Sequence, residues 1–466
     1  MRCALAAAAI LLAASAPAAQ LNKLNVAALD GQGNPVAGLS RADFQVYQDR
    51  KRQDIAFFRF TGRAAGHPTV VLVDLLSDRM MSGSIIGREV VEALKNVESS
   101  ADLYLYLLTD AGKLYPIHAL PPLDSGAAAA ATPWTEDIAP LLQAALKNLV
   151  GVKPVDDEDI KHRLEVTSRA LRDLGSQMEE MPGRKNLVWL THGIPLIGYS
   201  ISAQRGLDFT NPVRWFCARL AQAQIVVYAV AQSIDGAAGS AVVTPSLDFL
   251  RQFTSITGGR QYASDRADDA IRQAITDARA NYQVAYYEDL NPDGKNHKIR
   301  VVCARKDVRF VTAQDFYPLA PLSSRGALAA TALRSRELPA EMEAAAHSPF
   351  DATEIRIRAS VSRASGNAPE MDFEVGIDAA DLLPGPARNP GAGKVFVAFV
   401  AFDEAPRPLP HPVLVTLTAA QLAAAGTGTI RFSELLPVPQ DAHKIRVIAF
   451  DAELGALGSV TVPIRR

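Results

Sequence analysis

Hydrophobic and polar residues change rhythm several times along this chain, and each rhythm predicts a different kind of element. Residues 4–14 are continuously apolar behind a single Arg2 and run into Ala16, Pro17 and Ala18. That grammar predicts a secretory signal peptide over 1–18, cleaved after Ala18 and too short for a span of about 20 residues. Alternation follows at Leu24, Val26 and Ala28, at Phe44 and Val46, and at Ile55 and Phe57, with the turn-rich "DGQGNP" between the first two groups. Alternating positions predict strands buried on one face, and these are too few to close a core alone.

From Thr69 the pattern becomes "TVVLVDLL", "DLYLYLLT", "KNLVWLT" and "QIVVYAVA". Unbroken apolar runs of this length predict strands covered on both faces. Between them lie stretches with helical spacing, at 85–97, 135–149, 159–180, 213–222, 246–256 and 267–280, with Thr135 a candidate N-cap. "KLYPIH" pairs with "DLYLYLLT" as a hairpin, and Tyr104 and Tyr106 in that strand read as packing residues. Strands alternating with helices predict an α/β fold with a mostly parallel sheet. Three more strands follow within 281–317, then a Pro- and Ala-rich linker with some helix over 318–350. From 351 to 466 seven alternating runs, from "EIRIRASVS" to "GSVTVPIR", predict an immunoglobulin-like β-sandwich.

Composition narrows the function classes. At 466 residues the chain is too long for one core. Its 48% apolar and 21% charged residues are ordinary for a folded protein, and a net charge of −2 gives no reason to expect nucleic acid as a partner. Cleavage leaves Cys217 and Cys303, read as buried free thiols, with a bridge as the alternative in an oxidising compartment. The mature chain is expected to be exported, periplasmic or extracellular, with no membrane insertion.

Catalytic motifs are missing. None of the eight histidines forms a His-x-x-x-His or His-x-His pair, and there is no Gly-x-Ser-x-Gly elbow or phosphate-cradling Gly-Lys loop. "DLNPDGKNH" at 289–297 begins like a calcium loop, but Arg300 stands where a bidentate Glu is needed, so it reads as a hairpin loop.

The order of "GNPVAGLSRADFQVYQD", "GRKNLVWLTHGIPL", "LAQAQIVVYAV", "FTSITGGRQY" and "NYQVAYY" resembles the von Willebrand factor type A (vWA) related family described mainly from acidobacteria. The resemblance covers 22–318, with 69–280 similar to the vWA domain itself. It implies a Rossmann-like domain with a mostly parallel sheet at 66–280. It also implies a role in protein–protein interaction or envelope assembly through an unnamed protein partner, and no enzyme activity. The segments 20–64 and 281–317 are expected to pack together as a small flanking β-sandwich.

The family's device is a metal-ion-dependent adhesion site, written Asp-x-Ser-x-Ser, then a Thr, then an Asp. Here Asp74 matches the first Asp, Leu76 and Asp78 replace the two serines, Thr135 is the candidate Thr, and His192 replaces the last Asp. Leucine coordinates nothing and imidazole is a poor partner for Mg²⁺, so the site reads as degenerate, with no cofactor expected. The alternative is one divalent cation, Mn²⁺ or Zn²⁺, held by Asp74, Asp78 and His192 for metal-dependent binding or hydrolysis. In the first reading His192 is a polar lid hydrogen-bonded to Asp74.

Overall fold

The computed structural model describes residues 20–62, 67–75, 103–109, 112–120, 157–179, 183–191, 197–200, 205–208, 210–231, 243–263, 266–288, 295–319, 338–348, 351–363, 370–384, 394–403, 412–417 and 428–464, with residues 181 and 422 besides. The signal peptide, the helices expected at 85–97 and 135–149, and the loop 289–294 lie outside the described residues.

The chain opens with β1 (Gln20–Leu29), β2 (Phe44–Gln48), β3 (Lys51–Gln53) and β4 (Ile55–Phe60). Next come β5 (Thr69–Asp74), β6 (Leu103–Leu108), β7 (Leu114–His118), α1 (Asp157–Glu179) and β8 (Lys185–Thr191). The short hairpin β9 (Ile197–Ser200) and β10 (Arg205–Asp208) precedes α2 (Thr210–Gln222), β11 (Ile225–Ala231), α3 (Val243–Thr257), β12 (Gln261–Ala263) and α4 (Ala267–Arg279). Then follow β13 (Asn281–Glu288), β14 (His297–Cys303), β15 (Arg309–Val311), β16 (Asp315–Phe316) and α5 (Ala340–His347). The chain closes with β17 (Ile357–Arg363), β18 (Glu370–Asp378), β19 (Val395–Phe402), β20 (Val413–Leu417), β21 (Thr429–Pro437), β22 (Lys444–Asp451) and β23 (Ala456–Pro463).

This architecture overturns the α/β class expected from the sequence, built on a mostly parallel, Rossmann-like vWA sheet. Strand outweighs helix, 48% against 26%. Among the described residues five of the six sheets are wholly antiparallel. Parallel pairing is confined to the run β12-β11-β8-β5-β6, and β7 closes that sheet's edge antiparallel to β6. The physical reason is one of weight. Unbroken apolar runs dominate a reading by hydrophobicity, whereas the half-buried alternating strands at both flanks outnumber them.

Both faces of the six-stranded sheet are covered. On one, Leu72, Trp189 and Val227 meet Leu174 and Met178 of α1, Cys217 of α2 and Phe253 of α3. On the other, Val73, Leu190 and Tyr228 meet Ala270, Ile271 and Ala274 of α4. Tyr104 and Tyr106 are each 4% exposed, and the Tyr106 hydroxyl accepts from the Leu120 amide. The Gly258-Gly259 pair after α3 is required by geometry. Gly258 has φ +87°, and a Cβ on Gly259 would lie 1.9 Å from the Val227 carbonyl oxygen.

The strands before and after this sheet interleave. β13 lies between β1 and β4, and β14 pairs with β2. The resulting sheets β15-β1-β13-β4 and β16-β14-β2-β3 enclose Val26, Phe44, Val46, Tyr282 and Val284. Phe44 stacks on Phe310 with centroids 4.4 Å apart. In the C-terminal part, sheets β17-β18-β21 and β20-β19-β22-β23 pack around Phe373, Val375, Val397, Phe399 and Val447. That core also takes in Phe57 of β4 and Ala285 of β13, so the two sandwiches share buried surface. Within 318–350, α5 is more than spacer: Met342 is fully buried against Phe396, Phe402 and Ile448. Cys217 is a buried free thiol, while the free thiol of Cys303 is only half-buried.

Candidate functional site

Open sheets with parallel strands bind ligands beyond the strands' carboxyl ends. Here β5 and β8 are parallel neighbours whose register brings Asp74 and Thr191 together as the last residue of each. Both side chains are completely buried, and the Thr191 hydroxyl donates to Asp74 Oδ2 over 2.7 Å. The next residue, Leu75, is also buried and its amide donates to the Leu108 carbonyl, so the chain leaves β5 alongside β6.

Of the four ligands expected from the sequence, the structure describes Asp74. Asp78, Thr135 and His192 lie outside the described residues. The fit to a hard cation can be tested at Asp74 itself. Its carboxylate is engaged by a hydroxyl from the neighbouring strand, and in the sequence Leu76 takes the place of an oxygen donor. Among the described residues no three His, Cys, Asp or Glu side chains converge on one point. In the motif itself, Leu76 and His192 stand where Mg²⁺ or Ca²⁺ would take oxygen donors. Thr191 donates to Asp74; the bond expected from His192 as a polar lid lies outside the described residues.

A second polar constellation sits at the opposite, amino end of the same strands, and the sequence reading missed it. Arg184, immediately before β8, is 4% exposed. Its guanidinium donates to Asn186 Oδ1 (3.2 Å), Asn281 Oδ1 (2.9 Å) and the Tyr228 hydroxyl (2.7 Å). Tyr228 in turn donates to Asp277 Oδ2 over 2.9 Å, and Arg260 reaches the other oxygen of Asp277. Burial pushes the Tyr228 hydroxyl well above its usual pKa, so it remains a donor.

A parallel chain of bonds crosses all three parts of the molecule. Arg59 of β4 donates to Gln283 of β13, Gln283 to Gln224 before β11, and Gln224 to Glu354 of the C-terminal part, each over 3.0 Å. Glu354 also accepts from the Leu457 amide. Burial alone would raise the pKa of its carboxyl. The charges of Lys23 and Arg59 and these two hydrogen bonds outweigh burial and hold it below its ordinary value. The only hint in the sequence was "GRKN": two cations directly before an apolar strand, both of them buried.

No known family model matches this sequence, and no curated protein sequence does. Two solved structures of the pilus adhesin SpaC from Lactobacillus rhamnosus GG, one of them in an open conformation, are similar to the chain at 8% identity and a TM-score of 0.31. The similarity covers 93% and 94% of this chain and 59% and 58% of those chains, so the chain spans less than two-thirds of that adhesin's length. A likeness of this strength carries no functional weight. No helix among the described residues is long and apolar enough to cross a membrane.

Proposed function

We propose that this chain is an exported, non-catalytic binding protein that engages another protein of the cell envelope or exterior. The observation that carries the reading is the closed state of Asp74. A general acid, a general base or a metal ligand must reach its target, whereas this carboxylate is fully buried and occupied by Thr191. Two β-sandwiches flank the central sheet and share a core, an architecture compatible with a binding role. The N-terminal signal-like segment and the resemblance to vWA-related proteins support export and binding in the same direction. The degenerate Asp74, Asp78, Thr135 and His192 set plays no part in this binding.

The test is a crosslinking pull-down of the full chain from envelope and culture fractions, run with and without EDTA. Retention of the same partner under both conditions is the expected result. Loss of the partner with EDTA, together with one equivalent of bound Zn²⁺ or Mn²⁺ by elemental analysis, would replace this reading with the metal-dependent one. Recovery of the chain from the cytosol alone, with Met1 intact, would remove export.

A further inference from the structure

Among the described residues the six-stranded sheet ends in two unlike edges. One is β7, where Pro116 has no amide proton to offer, a common protection against the addition of another strand. The other is β12, Gln261-Tyr262-Ala263, which holds neither proline nor charge and pairs with β11 alone among the described residues. The Arg260 carbonyl accepts from the Ala229 amide of β11. Backbone groups alternate in direction along a strand, so Tyr262 also turns toward β11, while Gln261 and Ala263 turn their amides and carbonyls outward. Gln261 is exposed on that edge.

The side chains beside this edge say which partner fits. A cleft of about 400 Å³ runs between β12 and α4, lined by Tyr262, Arg266, Asp269, Arg272 and Gln273. Its row on α4 carries both signs: Arg266 pairs with Asp269, and Arg272 pairs with Asp268 and Asp269 over 2.6 and 2.9 Å. Arg260, at the start of β12, is held by Asp277 over 2.9 Å. An acidic partner gains little from arginines that already have carboxylates. A surface that meets its own copy must complement itself, and a row of one sign would repel. The mixed row meets that condition, since its ion pairs can be exchanged across a two-fold axis.

We propose that β12 is the seam of a homodimer, in which the edge strands of two copies pair antiparallel about a two-fold axis at Tyr262. Gln261 then lies opposite the partner's Ala263, and Ala263 opposite the partner's Gln261. Both residues turn their backbone groups outward, so each pair exchanges two hydrogen bonds and the seam holds four. The two sheets of six strands become one of twelve. The second copy's α4 comes to the open side of the cleft. Three residues from each copy make a short seam, so the affinity is modest, with a Kd of about 1–50 μM.

The experiment is sedimentation velocity of the full chain, with thiols kept reduced so that Cys303 forms no crosslink. A monomer–dimer equilibrium is expected between about 1 and 200 μM. Gln261→Pro removes an outward amide and leaves the pairing with β11 intact, so it should raise Kd at least about tenfold. Arg272→Glu makes the row acidic and should weaken the dimer as much. Hydrogen exchange of the wild-type chain needs no variant to fold: the Gln261 and Ala263 amides should gain protection as concentration rises, and those of β7 should not. A chain that stays monomeric throughout that range would overturn the proposal. So would a dimer that forms equally well with Gln261→Pro, or one that leaves exchange at Gln261 and Ala263 unchanged.

Discussion

Thr191 and Asp74 lie 117 residues apart in sequence, yet the Thr191 hydroxyl meets Asp74 Oδ2 at 2.7 Å across two adjacent parallel strands. The contact places a buried carboxylate where a ligand would otherwise be expected, and it accounts for a threonine before the unusual His192. A hydrogen bond to a charged group is worth about 1.5–3 kcal/mol when the partner is left buried without it. Thr191→Val, which keeps the shape, should therefore lower stability to urea by about that amount. Thr191→Ser should restore most of it. Equal stability of the Val variant would mean that Asp74 is satisfied without this hydroxyl.

The same relationship bears on metal binding. A micromolar site at about 100-fold excess of free ion stabilises a fold by roughly 2.7 kcal/mol. For a chain of this size that amounts to a melting shift of about 5–10 °C. Millimolar Mg²⁺ or Ca²⁺ should produce no such shift, because Leu76 and His192 leave the oxygen shell incomplete. Zn²⁺ and Mn²⁺ are the sharper trial. A shift with either ion, abolished by His192→Ala, would show that Asp74 can be released from Thr191 to ligate.

Tyr228 is a relay between opposite charges, accepting from Arg184 and donating to Asp277. Tyr228→Phe removes one oxygen, keeps the ring, and leaves both charged partners short of a bond. The expected cost is about 2–4 kcal/mol by denaturant unfolding, with the m-value unchanged. Arg184→Met should cost more, about 3–5 kcal/mol, since Asn186, Asn281 and Tyr228 all lose their buried donor at once. A smaller loss for the Arg184 variant than for the Tyr228 variant would contradict the relay.

His67 lines the junction, with Nδ1 placed 3.4 Å from the Arg184 carbonyl. Burial first, and the Arg184 charge second, lower its pKa to about 4 from an ordinary value of 6.5. The unfolded chain thus takes up a proton that the folded chain refuses between these two values. Stability is fully present above pH 6.5, falls as the pH drops, and levels off near pH 4. The loss should reach about 2–3 kcal/mol by pH 4. His67→Gln should flatten that part of the pH profile. If wild type and variant lose stability in parallel, other groups carry the acid response.

How far the sequence showed all this depends on whether the signal was local. The strands Thr69–Asp74 and Lys185–Thr191 were legible because their apolar runs are unbroken and bounded by polar residues. Helix α2 begins at Thr210, three residues before its apolar spacing starts, because Asp208 caps the Thr210 amide. The class of the whole chain was misjudged. Pairing direction is not written in a strand, and the many half-buried strands of the flanks resolve into antiparallel sheets. The junction network had almost no local signal beyond the two cations of "GRKN". Arg184 reads as an exposed cation before a strand until Asn281 and Tyr228, 97 and 44 residues away, are placed against it. Arg59 and Glu354 are similarly ordinary charged residues until folding buries them.

Shared burial makes the three parts unfold together. Phe57 and Ala285 of the small sandwich belong to the same core as Ile355 and Phe373, and Gln224 ties the central sheet to Glu354. Separation would expose these apolar groups and strand Arg59 and Glu354 without each other's field. Calorimetry of the full chain should therefore show one cooperative transition rather than a sum of separate ones. Glu354→Ala removes the carboxylate and leaves Arg59, Gln224 and the Leu457 amide short of a partner, at a cost of about 3–5 kcal/mol. Because that loss falls on the docking and not on either sandwich core, the single transition should split, with the C-terminal part melting first. Glu354→Gln keeps one acceptor oxygen, enough for either Gln224 or the Leu457 amide, so it should broaden the transition without dividing it. Two well-separated transitions in the wild-type chain would show that the junction does not couple the parts. A uniform downward shift in the Glu354→Ala chain, still as one transition, would instead mean that the shared apolar core of Phe57, Ala285 and Phe373 is sufficient for the coupling.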